Sequence, residues 1–281
     1  MNELSTFFSG FVNWSVTSHL LAYDFVQHAL IAAVLLGLIS GLIGPFIVMR
    51  QMSFSVHGTS ELALTGAAAA LLIGASVGVG AIVGSVIAAL IFGIMGKKAH
   101  ERDSTIGVVL SFGLGLAVLF LHLYPGRTGS QFSLLTGQIV SVSESHLTTL
   151  VAVTVVVVVT LLVIGRPLLF SSVDDYAAES RGVPVQLVNG VFAVLVGLVA
   201  AEGVQIVGAL LVLNLLVTPG AAALQVTKRP GMAVLLSVVF AEISAVGGIL
   251  LSLAPGVPMS VFVTFLSFLI YLICRAIPNK A

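Results

Sequence analysis

Apolar runs of about the same length follow one another along nearly the whole chain. They fall at about 25–49, 53–74, 78–96, 104–124, 147–169, 183–202, 204–227, 231–253 and 258–275. A helix needs about 20 apolar residues to cross a bilayer. The pattern therefore predicts an all-α polytopic transmembrane helical bundle of eight or nine spans, eight if one segment is re-entrant. Glycine and proline supply the punctuation. The apolar stretch over 62–96 is too long for one span and is divided at Gly74, Ala75, Ser76, Val77, Gly78, Val79 and Gly80. Pro255, Gly256, Val257 and Pro258 separate the last two runs. Gly37 with Gly41, and Gly80 with Gly84, stand at the small-xxx-small spacing of closely packed membrane helices. Residues 1–22 read differently. Phe7, Phe8, Phe11, Val12, Trp14 and Leu20 lie among Ser, Asn and Thr, which predicts a short amphipathic helix at the interface, ahead of a membrane domain over 23–281.

Composition agrees with this reading. Hydrophobic residues make up 58% of the chain and charged residues only 8%, far from the balance of a soluble domain. The formal net charge is zero, which argues against a nucleic-acid partner. With one cysteine, Cys274, there is neither a disulfide framework nor a cysteine zinc site. No cleavable signal is expected, because residues 1–22 lack a basic start and carry Glu3. The basic residues give an orientation. If the loop over 170–182 is cytoplasmic, then Arg50, Lys97, Lys98, Arg102, Arg166, Arg181, Lys228, Arg229, Arg275 and Lys280 all lie inside, and Arg127 alone lies outside. The expected product is a multi-pass cell-membrane protein with a cytoplasmic C-terminus. No phosphate-binding loop with its Lys and Ser/Thr is present, nor any HExxH or GxSxG constellation. The chain is thus not expected to bind ATP or to be an enzyme.

Chemistry concentrates at the start of the second run. His57 and Glu61 are one helical turn apart and share a face, and the next charged residue after Glu61 is Lys97. A carboxylate inside a span costs roughly 2.5 kcal/mol or more, which makes it a functional candidate. One imidazole and one carboxylate aimed together can grip a divalent cation. The residues alone also fit a helix-start Glu that snorkels to the interface beside a packed His. An intramembrane enzyme is disfavoured, since no third in-span ligand and no nucleophile accompany the pair. Ser53 and Ser60 lie near the pair on the same segment, as possible path-lining groups. Glu242 is mid-span, without an obvious cationic partner, and faces either a conduit or a helix contact. Glu202 is expected to be solvated near the outer membrane edge. His122 and His146 flank the outer loop, while His28 and His100 read as packed or solvated.

Residues 171–182 form the second informative segment. Asp174 and Asp175 suit a helix N-terminus, Ala177 and Ala178 a small flat surface, and Gly182 a C-terminal cap. Read alone, this is also an ordinary capped loop helix.

Arg50, Met52, Ser53, Ser60, Leu64 and Gly66 match a motif of the permeases of ABC-type metal-ion importers, the zinc, manganese and iron uptake family. In that motif Arg-Arg-Met-Ser is followed by Gly-Asp-Ala, Ser-His and Leu-Pro-Gly. His57 stands where the family has Asp, Glu61 where it has His, and Thr65 where it has Pro. The order is swapped, but one carboxylate and one imidazole remain. Ser171 to Val183 resembles the family's coupling helix, and Val204 to Leu213 with Leu216 to Ala223 resembles its Val-Gly-x-Leu-Leu-Val span and Pro-Ala-Ala element. A weaker similarity covers Phe132 to Gly137.

The resemblance implies a type II ABC importer-like permease working as a symmetric pair. It implies His57 and Glu61 as ligands to a transported manganese, zinc or iron ion, and Asp174, Asp175, Ala177, Ala178 and Gly182 as the contact with a cytoplasmic ATPase present in two copies. It further implies an extracellular metal-binding protein, membrane lipid around the bundle, and no cofactor held by the chain itself. The rival readings are a permease for a metal chelate, such as a siderophore or vitamin, and a secondary metal-ion transporter.

Overall fold

In lipid a backbone must satisfy its own hydrogen bonds, so apolar runs of this length become helices. The computed structural model describes residues 19–94, 99–125, 144–253, 255 and 258–277. Among them are ten helices and no strand. In chain order these are α1 (Asp24–Met49), α2 (Ser53–Leu72), α3 (Val77–Ile94), α4 (Ala99–Leu123), α5 (Glu144–Val173), α6 (Asp175–Ser180), α7 (Val185–Ile206), α8 (Ala209–Val226), α9 (Pro230–Leu253) and α10 (Met259–Ala276). Expectations placed on residues 1–18, on Lys97 and Lys98, on Arg127, on 132–137 and on Lys280 lie outside the described residues.

Local chemistry explains most of the boundaries. Gly74 takes φ +71° and ends α2, inside the predicted break. Pro258, the last residue of the second predicted break, immediately precedes α10. The break between α7 and α8 falls later than predicted, at Val207 and Gly208, and Gly208 takes φ +94°. Gly203, the expected break, lies instead in a helix contact, where an added Cβ would sit 3.0 Å from Val212. Two helices overrun their predicted limits. α5 continues past 169 to Val173, and α4 begins at Ala99 within the expected charged loop.

Among the described residues six helices are long and apolar enough to cross a membrane: α1, α4 from Asp103, α5, α7, α9 and α10. α3 and α8 contribute shorter apolar stretches. α2 is long enough but too polar to count with the six, carrying Ser53, Ser55, His57, Thr59, Ser60, Glu61 and Thr65. It tolerates this because it is interior. α3, α4, α7 and α8 pack around it, so protein rather than lipid meets its polar groups. α1 lies against α5, α8 and α9, and α10 closes against α8 and α9. The core runs through Leu36, Ile39, Ile43 and Ile47 of α1, Phe192 of α7 and Leu215 and Leu216 of α8, all fully buried.

The tightest crossing joins α2 and α3. A Cβ on Gly66 would collide with the Gly80 carbonyl, and one on Gly84 would meet the Leu62 carbonyl at 2.5 Å. The Gly80 and Gly84 spacing thus brings the two backbones into direct contact.

Candidate functional site

The site begins at the turn between α1 and α2. Phe46 and Ile47 carbonyls accept from the backbone N–H groups of Arg50 (3.0 Å) and Met52 (2.9 Å), and Gln51 takes φ +53°. A bulky side chain in the left-handed region marks a turn held by its surroundings. α2 starts at once, so the chain reverses with few residues to spare.

His57 and Glu61 follow on one face of α2, as their spacing requires. Glu61 is 4% exposed, and its carboxylate lies near enough to the His57 imidazole for the two to interact electrostatically. This burial sets aside the snorkelling account: the carboxylate stays inside the protein. His57 is half-buried beside Phe54, with ring centroids 6.4 Å apart, and its Nδ1 is buried with no hydrogen-bond partner. An unpartnered imidazole nitrogen beside a buried carboxylate is a ready pair of donors for a divalent cation. Most of the surrounding hydroxyls are spent on the helix, although Ser55 Oγ is buried without a partner. Ser60 donates to the His57 carbonyl (2.8 Å) and Thr59 to the Ser55 carbonyl (2.8 Å). Thr65 donates to the Glu61 carbonyl (3.2 Å) and, across to α4, to the Gly113 carbonyl (2.9 Å). Ser60 is fully buried, and Ser53 is half-buried at the helix start. Among the described residues no three His, Cys, Asp or Glu side chains gather at one point. His57 and Glu61 thus stand as a pair.

Glu242 lies elsewhere. Its carboxylate rests on α1, with Cδ 3.1 Å from where a Cβ on Gly37 would be, so it is carried at the α1–α9 contact. Glu202 departs from expectation. It is not solvated but 2% exposed, and its Oε1 has no hydrogen-bond partner. Position near a helix end suggested water, but the packing of α7 against α1, α2, α3 and α8 closes over it.

Below the pair lies the 171–182 segment. Ser171 to Val173 complete α5, and the separate short helix is α6. Asp174 caps it by accepting from the Ala177 N–H at 3.0 Å. Gly182, at φ +81°, closes it, with Gly182 N–H to the Glu179 carbonyl (3.0 Å) and Val183 N–H to the Ala178 carbonyl (3.1 Å). These are the two bonds of a Schellman cap. The flat alanine surface needs correction. Ala178 is fully buried within its own chain, so the outward face is led by Tyr176, 76% exposed, with Glu179 and Ser180 also exposed.

Sequence reasoning counted Arg50 only as a cytoplasmic charge and a motif residue. In the fold it joins α1, α5 and α7. It donates through Nε to Ser172 Oγ (2.8 Å), through Nη1 to Asn189 Oδ1, and through Nη2 to Ser171 Oγ and the Leu168 carbonyl. Its guanidinium centre is 5.4 Å from the Phe192 ring centroid. Burial lowers its pKa from the ordinary value, and the Asp175 carboxylate pulls the other way.

Comparison with known proteins bears on this arrangement. Residues 22–277 match the ABC 3 transport family. The chain belongs to that family. As an ABC 3 permease it is a multi-pass membrane protein and not an enzyme, ATP hydrolysis being the work of a separate subunit. It is 34% identical over 234 residues to the manganese transport system membrane protein MntC of Halalkalibacterium halodurans, covering 83% of this chain and 80% of that one. It is 30% identical over 258 residues to a protein of the same description in Listeria monocytogenes, covering 90% and 92%. Among solved structures it resembles PsaBC from Streptococcus pneumoniae in complex with Fab, with a TM-score of 0.85, 27% identity, and coverage of 95% and 96%.

Proposed function

We propose that this ABC 3 permease imports a divalent transition-metal ion, manganese(II) before zinc(II) or iron(II), with His57 and Glu61 as the ligands it contributes. The observation that carries the reading is the buried Glu61 beside the unpartnered Nδ1 of His57, on a helix that the rest of the bundle encloses. Imidazole and carboxylate suit all three ions. Its likeness to manganese transport system membrane proteins puts manganese first. Two side chains are too few for a closed coordination shell. A two-fold pairing of permeases doubles them to two nitrogens and at least two oxygens. A site of this modest strength can release its ion when the helices move.

The rest of the machine follows from the family. Two copies of a cytoplasmic ATPase dock against α6, through Tyr176, Glu179 and the capped turn at Gly182, and an extracellular protein delivers the ion. Nine spans with the N-terminus outside and the C-terminus in the cytoplasm account for the basic residues. In this count α2, α3 and α8 cross as interior or shorter helices beside the six apolar ones. Ser53 and Ser60 border the route. The test is uptake by the permease–ATPase complex in liposomes, with manganese(II), zinc(II) and iron(II) in competition. ATP-dependent accumulation of manganese(II), lost on Glu61→Gln, is the expected result. Uptake of none of the three ions refutes the reading.

A further inference from the structure

An importer must pass movement at its cytoplasmic face to the helix that holds the ion. Here the residue between the two is Arg50. It directly precedes the turn into α2, and its guanidinium reaches across to the far end of α5. Every hydrogen-bond partner it has there is neutral: Ser171, Ser172, the Leu168 carbonyl and, on α7, Asn189. Phe192 stacks beneath it and is met edge-on by Phe46, with centroids 6.3 Å apart, so the plane of the guanidinium is set by packing. Arginine's fixed fork of five donors can serve so many acceptors at once, which the point charge of lysine cannot.

A carboxylate stands close by without using this cation. Asp175 is the first residue of α6, and its Oδ1 is buried with no hydrogen-bond partner. The helix cap does not need it, because Asp174 supplies that bond. The end of α5 is also free to tilt, since Pro167 removes one bond from its ladder just before the segment Arg50 holds. The Asp175 carboxylate is near enough for its charge to act on the guanidinium, so an ion pair is a second arrangement open to a cation now held by hydroxyls. Charge-assisted bonds are roughly twice as strong as neutral ones, so that arrangement is not at a disadvantage.

We infer that Arg50 is the positioning residue that ties movement of α6 to the start of α2, exchanging its serine bonds for an ion pair with Asp175 when the ATPase moves α6. The inference rests on the importer reading above and adds to it a named link between the ATPase contact and the ligand helix.

The test uses the reconstituted permease–ATPase complex and reads manganese(II) taken up per ATP hydrolysed, alongside the ATPase rate and the melting temperature. Arg50→Lys and Asp175→Asn are each expected to lower uptake per ATP by about tenfold, with ATPase rate and assembly near those of the starting protein. The double variant is expected to be no worse than either single one, because both remove the same link. Should Arg50→Lys fail to assemble, Asp175→Asn and Ser171→Ala with Ser172→Ala carry the test alone. Asp175→Asn lowers the ratio if the ion pair forms, and the serine variant shifts the balance towards that pair and changes the ratio too. Unchanged uptake per ATP in these variants overturns the inference. So does a loss of uptake that only tracks lost assembly and melting temperature, which is the mark of a plain structural staple. Uptake by the starting complex that does not depend on ATP overturns the importer reading itself, and is seen before any variant is made.

Discussion

Glu61→Gln separates stability from transport by sign. The carboxylate is 4% exposed on a helix enclosed by protein, and its nearest electrostatic support is His57. Holding a charge at such a depth costs roughly 2.5 kcal/mol or more, part of which the imidazole returns. Glutamine keeps the shape and removes the charge, so the metal-free protein is expected to gain about 1 kcal/mol. Metal binding moves the other way. Loss of one of the protomer's two ligands, together with its negative charge, is expected to weaken manganese(II) binding by at least about 100-fold, or about 2.8 kcal/mol. The assays are thermal melting of the purified permease without metal, and manganese(II) uptake into proteoliposomes at limiting metal. A variant that melts higher and transports nothing supports the site. Uptake equal to the unmodified protein removes Glu61 from the path. A lower melting temperature with lost uptake shows that the carboxylate instead holds the fold together through a partner.

His57→Ala is expected to lose most uptake with little change in assembly, since the imidazole Nδ1 makes no internal hydrogen bond; uptake at the normal level in proteoliposomes removes it as a ligand. Ala178→Trp is expected to destabilise the permease alone by about 1–3 kcal/mol, because it overpacks a fully buried position. Melting without the ATPase checks this, and an unchanged value places Ala178 on the outer face after all. Tyr176→Ala is expected to weaken co-purification with the ATPase and leave melting unchanged; full co-purification moves the contact off α6. Gly182→Ala is expected to cost about 1–2 kcal/mol for forcing a Cβ into φ +81°, read in the same melting assay.

Features set by a few neighbouring residues were legible in the sequence. Gly74 and Gly182 take positive φ where a break and a cap are wanted, and Asp174 caps the helix that follows it. The shared face of His57 and Glu61 follows from helical period alone. Features set by distant neighbours were not. Gly203 read as the break, but it packs against Val212, and the chain turns at Gly208 instead. Ala178 faces inward and Tyr176 outward because of how α6 sits on α5 and α7, which nothing within the segment specifies. Glu202 read as solvated because its depth depends on helices packed over it from elsewhere in the chain. Arg50 read as one more cytoplasmic charge, yet its partners come from α5 and α7. Hydropathy also understates α2, since the helix that carries His57 and Glu61 is one that α3, α4, α7 and α8 enclose.

The crossing of Gly66 with Gly80 and Gly84 has a mechanical consequence. Where side chains separate two helices, a small shift is absorbed by new rotamers. Here main chain meets main chain, and nothing lies between to repack. α2 and α3 therefore travel as one stiff blade. Beside the crossing, Val79, Val83, Ile87 and Ile91 of α3 are exposed and line an apolar cleft with Leu62 and Ala69 of α2 and Val109 of α4. Any swing of the blade against α4 that opens or closes the space around Glu61 also reshapes that cleft, so the apolar groups that fill it are part of the load against which each turnover works.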